Sequence, residues 1–170
     1  MAIQALAVQE LFERKAEMNR QDKLNYYLDI ADVALNRSTC LRRKYGAVIV
    51  KNDEIISTGY NGAPRGCANC IDVGVCRRQI ENIPHGERYE LCRSVHAEAN
   101  AIISAGRKEM IGATLYLAGR DAQNGLSVPN TEPCAMCRRL IINAGIRYVI
   151  TRTDSGCIRF EDVNNYLEKI

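Results

Sequence analysis

Tryptophan is absent from the 170 residues, phenylalanine and histidine each occur twice, and aromatics make up only 6% of the chain. With a net charge of just +3, such a chain is a poor source of the basic, aromatic-studded groove on which single-stranded nucleic acid stacks. Nucleic acid is therefore not the expected partner. No run approaches the roughly 18 apolar residues that a membrane span requires, so no membrane contact is expected either. The first twenty residues, "MAIQALAVQELFERKAEMNR", carry Glu10, Glu13 and Glu17 and no long apolar core. They are expected to form an amphipathic helix and not a signal peptide, which places the protein in the cytoplasm. Residues 1–21 are then a helical extension of a single domain spanning 1–170.

What the chain does contain is an ordinary globular balance, 46% hydrophobic and 25% charged, in a length able to bury a core without covalent staples. Its eight cysteines are the anomaly. Without an export signal, cysteines at short spacings are expected as metal ligands or catalytic groups, not disulfides.

Periodicity gives the elements. Leu24, Tyr27, Leu28, Ala31, Ala34 and Leu35 form one stripe of a helix over 22–37. The β-rich runs "YGAVIV" (45–50) and "EIISTGY" (54–60), separated by Lys51, Asn52 and Asp53, predict a hairpin. An irregular stretch rich in Gly, Pro and Cys follows over 61–93, long enough to suggest a functional or metal-stapled loop. The second half alternates: helix 96–106, strand 113–118, helix 134–144, strand 146–151. Such alternation predicts an α/β domain with a mixed sheet. Asn124-Gly125 marks a tight turn inside the 118–132 connection, and "FEDVNNYLEKI" (160–170) predicts a closing helix.

Two motifs carry chemistry. "SVHAEANA" (94–101) places His96 at a helix start with Glu98 two residues on; "PCAMC" (133–137) places Cys134 and Cys137 one turn apart behind a helix-starting proline. The positive end of a helix dipole favours thiolate, the form that binds metal. One histidine and two cysteines are the ligand count of a catalytic zinc that keeps a position open. A carboxylate beside such a zinc, but not bound to it, can shuttle protons from water to a departing amine. Each motif alone is common; their pairing, one after each of two strand segments, matches the zinc-deaminase signature.

The chain resembles the cytidine/deoxycytidylate deaminase superfamily, and most of all its deoxycytidylate (dCMP) branch, through "RRKYGAVIVKNDEIISTGYNGAPRG" (42–66), "VHAEANAI" (95–102) and "PCAMCRRLIINAGIRYVI" (133–150). The resemblance implies a three-layer α/β/α fold and zinc-dependent hydrolytic deamination of dCMP to dUMP. By it, His96, Cys134 and Cys137 bind zinc and Glu98 is the proton shuttle. It also implies that Asn61 holds the substrate sugar, while Asn100 helps line a nucleotide pocket. A homo-oligomer is implied too, with dCTP and dTTP as allosteric effectors. "TEPCAMC" is similar instead to purine and tRNA-adenosine deaminases, which leaves another amino-bearing base open. A non-catalytic nucleotide-sensing module is a third reading, against which the presence of Glu98 argues. The 118–132 connection is longer than the branch usually carries and could cover the pocket. The chain also ends soon after its fourth strand, predicting a shortened or missing fifth.

Some relatives in that branch bind a second, structural zinc. Cys40 and Cys70 match those positions, and Cys76 and Cys92 are expected to complete the set, with Cys67 or His85 as substitutes; unliganded thiols are the alternative. Cys157 is expected as a plain surface or packing cysteine. Arg65 and Arg93, near the loop, are the expected grips for a nucleotide 5′-phosphate.

Overall fold

The computed structural model describes residues 20–169 except 85 and 154, so most of the expected N-terminal helix, and the alternative ligand His85, lie outside the described residues. Asp22 opens α1 (Lys23–Ala34) by accepting the Asn25 amide at 3.0 Å, the usual way to satisfy an orphan donor at a helix start. Next comes the hairpin of β1 (Arg43–Lys51) and β2 (Glu54–Tyr60). Its turn residues Asn52 and Asp53 both have positive φ, 50° and 67°, as a twist-matched two-residue turn demands. Then come α2 (Cys70–Val73), α3 (Arg77–Ile80), α4 (Ala97–Ile103), α5 (Arg107–Met110), β3 (Thr114–Asp121), α6 (Ala135–Ala144), β4 (Tyr148–Arg152) and β5 (Ile158–Asp162).

The strands form one mixed sheet in the order β2-β1-β3-β4-β5. β1 is antiparallel to both neighbours, so β2 and β3 run the same way, and β4 lies parallel to β3. Strand alternation sorts the core into two layers. Val48, Val50, Tyr116 and Ile150 face α1 with Tyr27, Leu28 and Ala31. Ala47, Ile49, Leu115, Leu117 and Val149 face α4 and α6 with Ala97, Ala101, Ile141 and Ala144. This is the expected three-layer α/β/α arrangement. Two glycines let the helices close on the sheet: a Cβ at Gly46 would stand 2.0 Å from the Ala31 carbonyl oxygen, and one at Gly59 would stand 2.3 Å from that of Ala97. No described helix is long and apolar enough to cross a membrane.

Two expectations need correction. The fifth strand is present: Ile158–Asp162 pairs antiparallel with β4 from Tyr148↔Asp162 to Arg152↔Ile158. Residues 160–170 were expected as a helix, but the period-two run Ile158-Arg159-Phe160-Glu161 pairs with the β4 edge, and only Val163–Lys169 turn helically, as 3₁₀. The 61–93 segment is likewise more ordered than its composition suggests. Gly62 and Val95 clip its ends together through reciprocal backbone bonds of 3.2 and 2.8 Å, and α2, α3 and a 3₁₀ turn at Tyr89–Leu91 fold the interior.

Candidate active site

Because β2 and β3 point the same way, the chain leaves both at one edge of the sheet. α4 begins there after β2 and the loop, and α6 begins there after β3. His96 is the N-cap of α4 and Cys134 the N-cap of α6, while Cys137 is one turn further along α6. Nδ1 of His96 lies 3.5 Å from Sγ of Cys134 and 3.4 Å from Sγ of Cys137. Among the described residues, these three form the one group of candidate ligands whose donor atoms all lie within 4.8 Å of one another.

The electrostatics suit a cation. The neighbouring Cys137 and His96 hold the Cys134 thiol well below the usual thiol range, against its burial. Sharing a proton with Cys134, together with burial, holds Cys137 up. Burial works against protonated His96, yet the Cys134 thiolate and the Glu98 carboxylate outweigh it and raise its pKa. A proton shared among two thiols and an imidazole is what a divalent ion displaces when all three become ligands. Glu98, 4% exposed, stands on the first turn of α4, and burial pushes its carboxyl above the usual carboxylate range.

These groups open into a cavity of about 340 Å³ whose wall includes Asn61, Tyr45, Tyr89, Arg42, Arg43, Arg78, Glu132 and Arg138, within the size range of small-ligand sites. Asn61 is buried, and its amide is largely committed: Oδ1 accepts from Ser38 and from the Tyr45 amide, both at 2.7 Å, and Nδ2 donates to the Arg43 carbonyl at 2.9 Å.

Other expected contacts fall elsewhere. Asn100 does not line this cavity; its Nδ2 donates to the Tyr60 carbonyl at 2.7 Å and ties α4 to the end of β2. Arg65 is exposed and off the wall. Arg93 lines a neighbouring cavity and donates to the Ala68 carbonyl at 3.3 Å. Arg42 and Arg43 open the 42–66 run quoted above, where neither had a role of its own. Arg138 went unnoticed, although four residues after Cys134 it had to share that cysteine's helix face. Its guanidinium pairs with Glu132 at 3.1 Å and lies over Tyr166, and its buried Nε has no hydrogen-bond partner among the described residues.

Cys40, Cys70, Cys76 and Cys92 all line the neighbouring cavity, of about 280 Å³, whereas Cys67 is exposed and lines neither. The 118–132 connection turns at Asp121–Leu126, returns to β3 through Val128 N–H to Gly119 at 3.0 Å, and contributes only Glu132 to the active-site wall.

An α/β domain with a His-Cys-Cys triangle at two helix starts and a buried carboxyl beside it defines a zinc-binding enzyme class. Residues 21–153 match the family model described as the cytidine and deoxycytidylate deaminase zinc-binding region, and the chain belongs to that family. It is 40% identical over 143 residues to the deoxycytidylate deaminase of Mycobacterium phage D29, covering 81% of this chain and all of that protein. It is 34% identical over 130 residues to the deoxycytidylate deaminase of Homo sapiens, covering 76% of this chain and 64% of that one. Against the Schizosaccharomyces pombe deoxycytidylate deaminase, at 35% identity, it spans 36% of the relative's length. Among solved structures it is similar to the dCMP deaminase of cyanophage S-TIM5 in apo form, with TM-score 0.54 and 26% identity over 79% of this chain and 85% of that one.

Proposed function

We propose that this chain deaminates dCMP to dUMP: water adds at C4 of the cytosine, the C4–N bond breaks, and ammonia leaves as the carbonyl forms. The observation that carries the reading is the His96–Cys134–Cys137 triangle with buried Glu98 beside it in a nucleotide-sized cavity. The three residues would hold zinc, which makes water a nucleophile near neutral pH. Glu98 passes on the two protons of the attacking water, one to N3 of the ring and one to the departing nitrogen. The relatives' shared activity supports dCMP as the substrate.

Arg42, Arg43 and Arg138 replace Arg65 and Arg93 as the residues for the 5′-phosphate, since they line the cavity and the Arg138 Nε–H lacks a partner among the described residues. Asn61 keeps one Nδ2 hydrogen to offer the sugar. Cys40, Cys70, Cys76 and Cys92 would hold a structural zinc, which draws the four sulfurs together and orders the loop. A reducing compartment such as the cytoplasm suits free thiols of this kind. Exposed Ile103, Met136 and Leu140 on the neighbouring helices α4 and α6 offer an apolar face for contact between copies, and dCTP and dTTP are the effectors proposed for such an oligomer.

The test is to incubate purified zinc-loaded protein with dCMP and identify the products. Stoichiometric dUMP and ammonia, abolished by chelation and restored by zinc, are expected. Turnover that survives complete zinc removal, or none on dCMP, refutes the reading.

A further inference from the structure

Arg78 is a cation with 4% exposure, standing in the wall that separates the two cavities. Its guanidinium donates to the carbonyls of Glu87, of Arg88 at 2.9 Å and of Pro84 at 2.6 Å, tying α3 to those three residues. A charge so deeply buried is costly unless its donors find partners, and here three backbone carbonyls accept from it. The guanidinium is thereby committed, and its flat face is left to pack. That face lies 4.7 Å from the centre of the Tyr89 ring, a cation–π distance. Tyr89 in turn stands perpendicular to His96, with ring centres 4.9 Å apart and planes at 89°, the favoured edge-on geometry.

A metal-binding imidazole is ordinarily oriented by a hydrogen bond from its remote nitrogen to a carboxylate, carbonyl or water. In His96, Nδ1 faces both thiols, and none of the described residues hydrogen-bonds Nε2. Apart from its approach to the thiols, the ring packs against Tyr89. We propose that Arg78 is a positioning residue for His96, acting through Tyr89: it fixes the Tyr89 ring, and that ring fixes the imidazole toward the metal. The inference rests on the assignment of His96, Cys134 and Cys137 as zinc ligands. It gives the 61–93 loop a role at the active site beyond walling the cavity. The loop reaches the metal ligand through a stack of three side chains.

The test follows zinc release from the loaded full-length protein to a chromogenic chelator, in parallel with loss of turnover, so that the release phase of the active site is identified. Outer-shell changes at metal sites typically cost roughly 10- to 100-fold in affinity or activity. Arg78→Met and Tyr89→Leu are expected to weaken zinc binding in that phase by such a factor. Tyr89→Phe, which keeps the ring, is expected to stay near wild type. Tyr89→Leu keeps the test valid where Arg78→Met fails to fold. A folded Tyr89→Leu protein that holds active-site zinc as tightly as wild type overturns the proposal. His96→Ala separates the two levels: loss of that phase upholds the ligand assignment, and its persistence overturns both assignment and inference.

Discussion

Gly59 in β2 and Ala101 in α4 touch backbone to backbone: a Cβ on Gly59 would stand 2.4 Å from the Ala101 amide nitrogen. The contact sets how deeply α4 lies on the sheet, and α4 carries His96 at its cap and Glu98 in its first turn. A glycine that does not itself line the cavity thus governs where two functional side chains stand.

Gly59→Ala must push α4 outward, since the atoms that the new methyl meets are backbone. Overpacking of this kind costs about 1–3 kcal/mol. Thermal unfolding is expected to shift downward accordingly, and activity to fall more than stability at the assay temperature explains. Unchanged melting and turnover would show that the helix does not depend on this approach.

Glu98→Gln preserves side-chain shape and leaves His96, Cys134 and Cys137 in place. Turnover is expected to fall by roughly 100-fold or more, while zinc content stays at the wild-type level. A zinc-replete Glu98→Gln enzyme with near-normal kcat removes the carboxyl from the proton path.

The cysteine cluster makes a claim about stoichiometry. Elemental analysis under metal-replete conditions is expected to find about two zinc ions per chain, and Cys70→Ser with Cys76→Ser to remove one. Cleavage within 61–93 by protease should then rise, because the loop's ordering energy comes from the metal. One zinc per wild-type chain would leave the four thiols unliganded.

On the opposite face, Arg152 donates to Asp29 at 2.8 Å and holds its carboxyl below the usual range. A depressed folded pKa stabilises above the unfolded value near 3.9 and loses that contribution as pH falls through the folded value. The pair is half exposed, so its worth is at most about 1 kcal/mol. The melting gap between wild type and Asp29→Ala is expected to be fullest above about pH 5 and to close in stronger acid. A gap that persists below pH ~2 would place the effect elsewhere than the ion pair.

Much of this was legible from local pattern. The stripe at Tyr27, Leu28 and Ala31 and the Asn52–Asp53 turn are short-range signals, and the structure carries them unchanged. His96 and the Cys134–Cys137 pair were legible because their spacing and neighbours are chemically restrictive, and the fold brings their donor atoms together. The arginines were not. Which guanidinium reaches the cavity depends on how the 61–93 loop closes over β1 and on which face of α6 turns inward. Arg65 and Arg138 are therefore alike in a sequence and separate in space. β5 was missed for a related reason: five alternating residues become a strand only when the β4 edge pairs with them.

The most direct measurement is kcat/KM for dCMP against deoxycytidine, free cytosine and adenosine on the same zinc-loaded preparation. A site whose buried polar groups are matched to a phosphate and a sugar leaves them unpaired when either is missing, at a cost on the order of several kcal/mol. dCMP is expected to be preferred by about a hundredfold or more over each of the others. An enzyme that ignores dCMP and turns over adenosine would contradict it, and would make the "TEPCAMC" likeness to purine and tRNA-adenosine deaminases the better guide to the substrate.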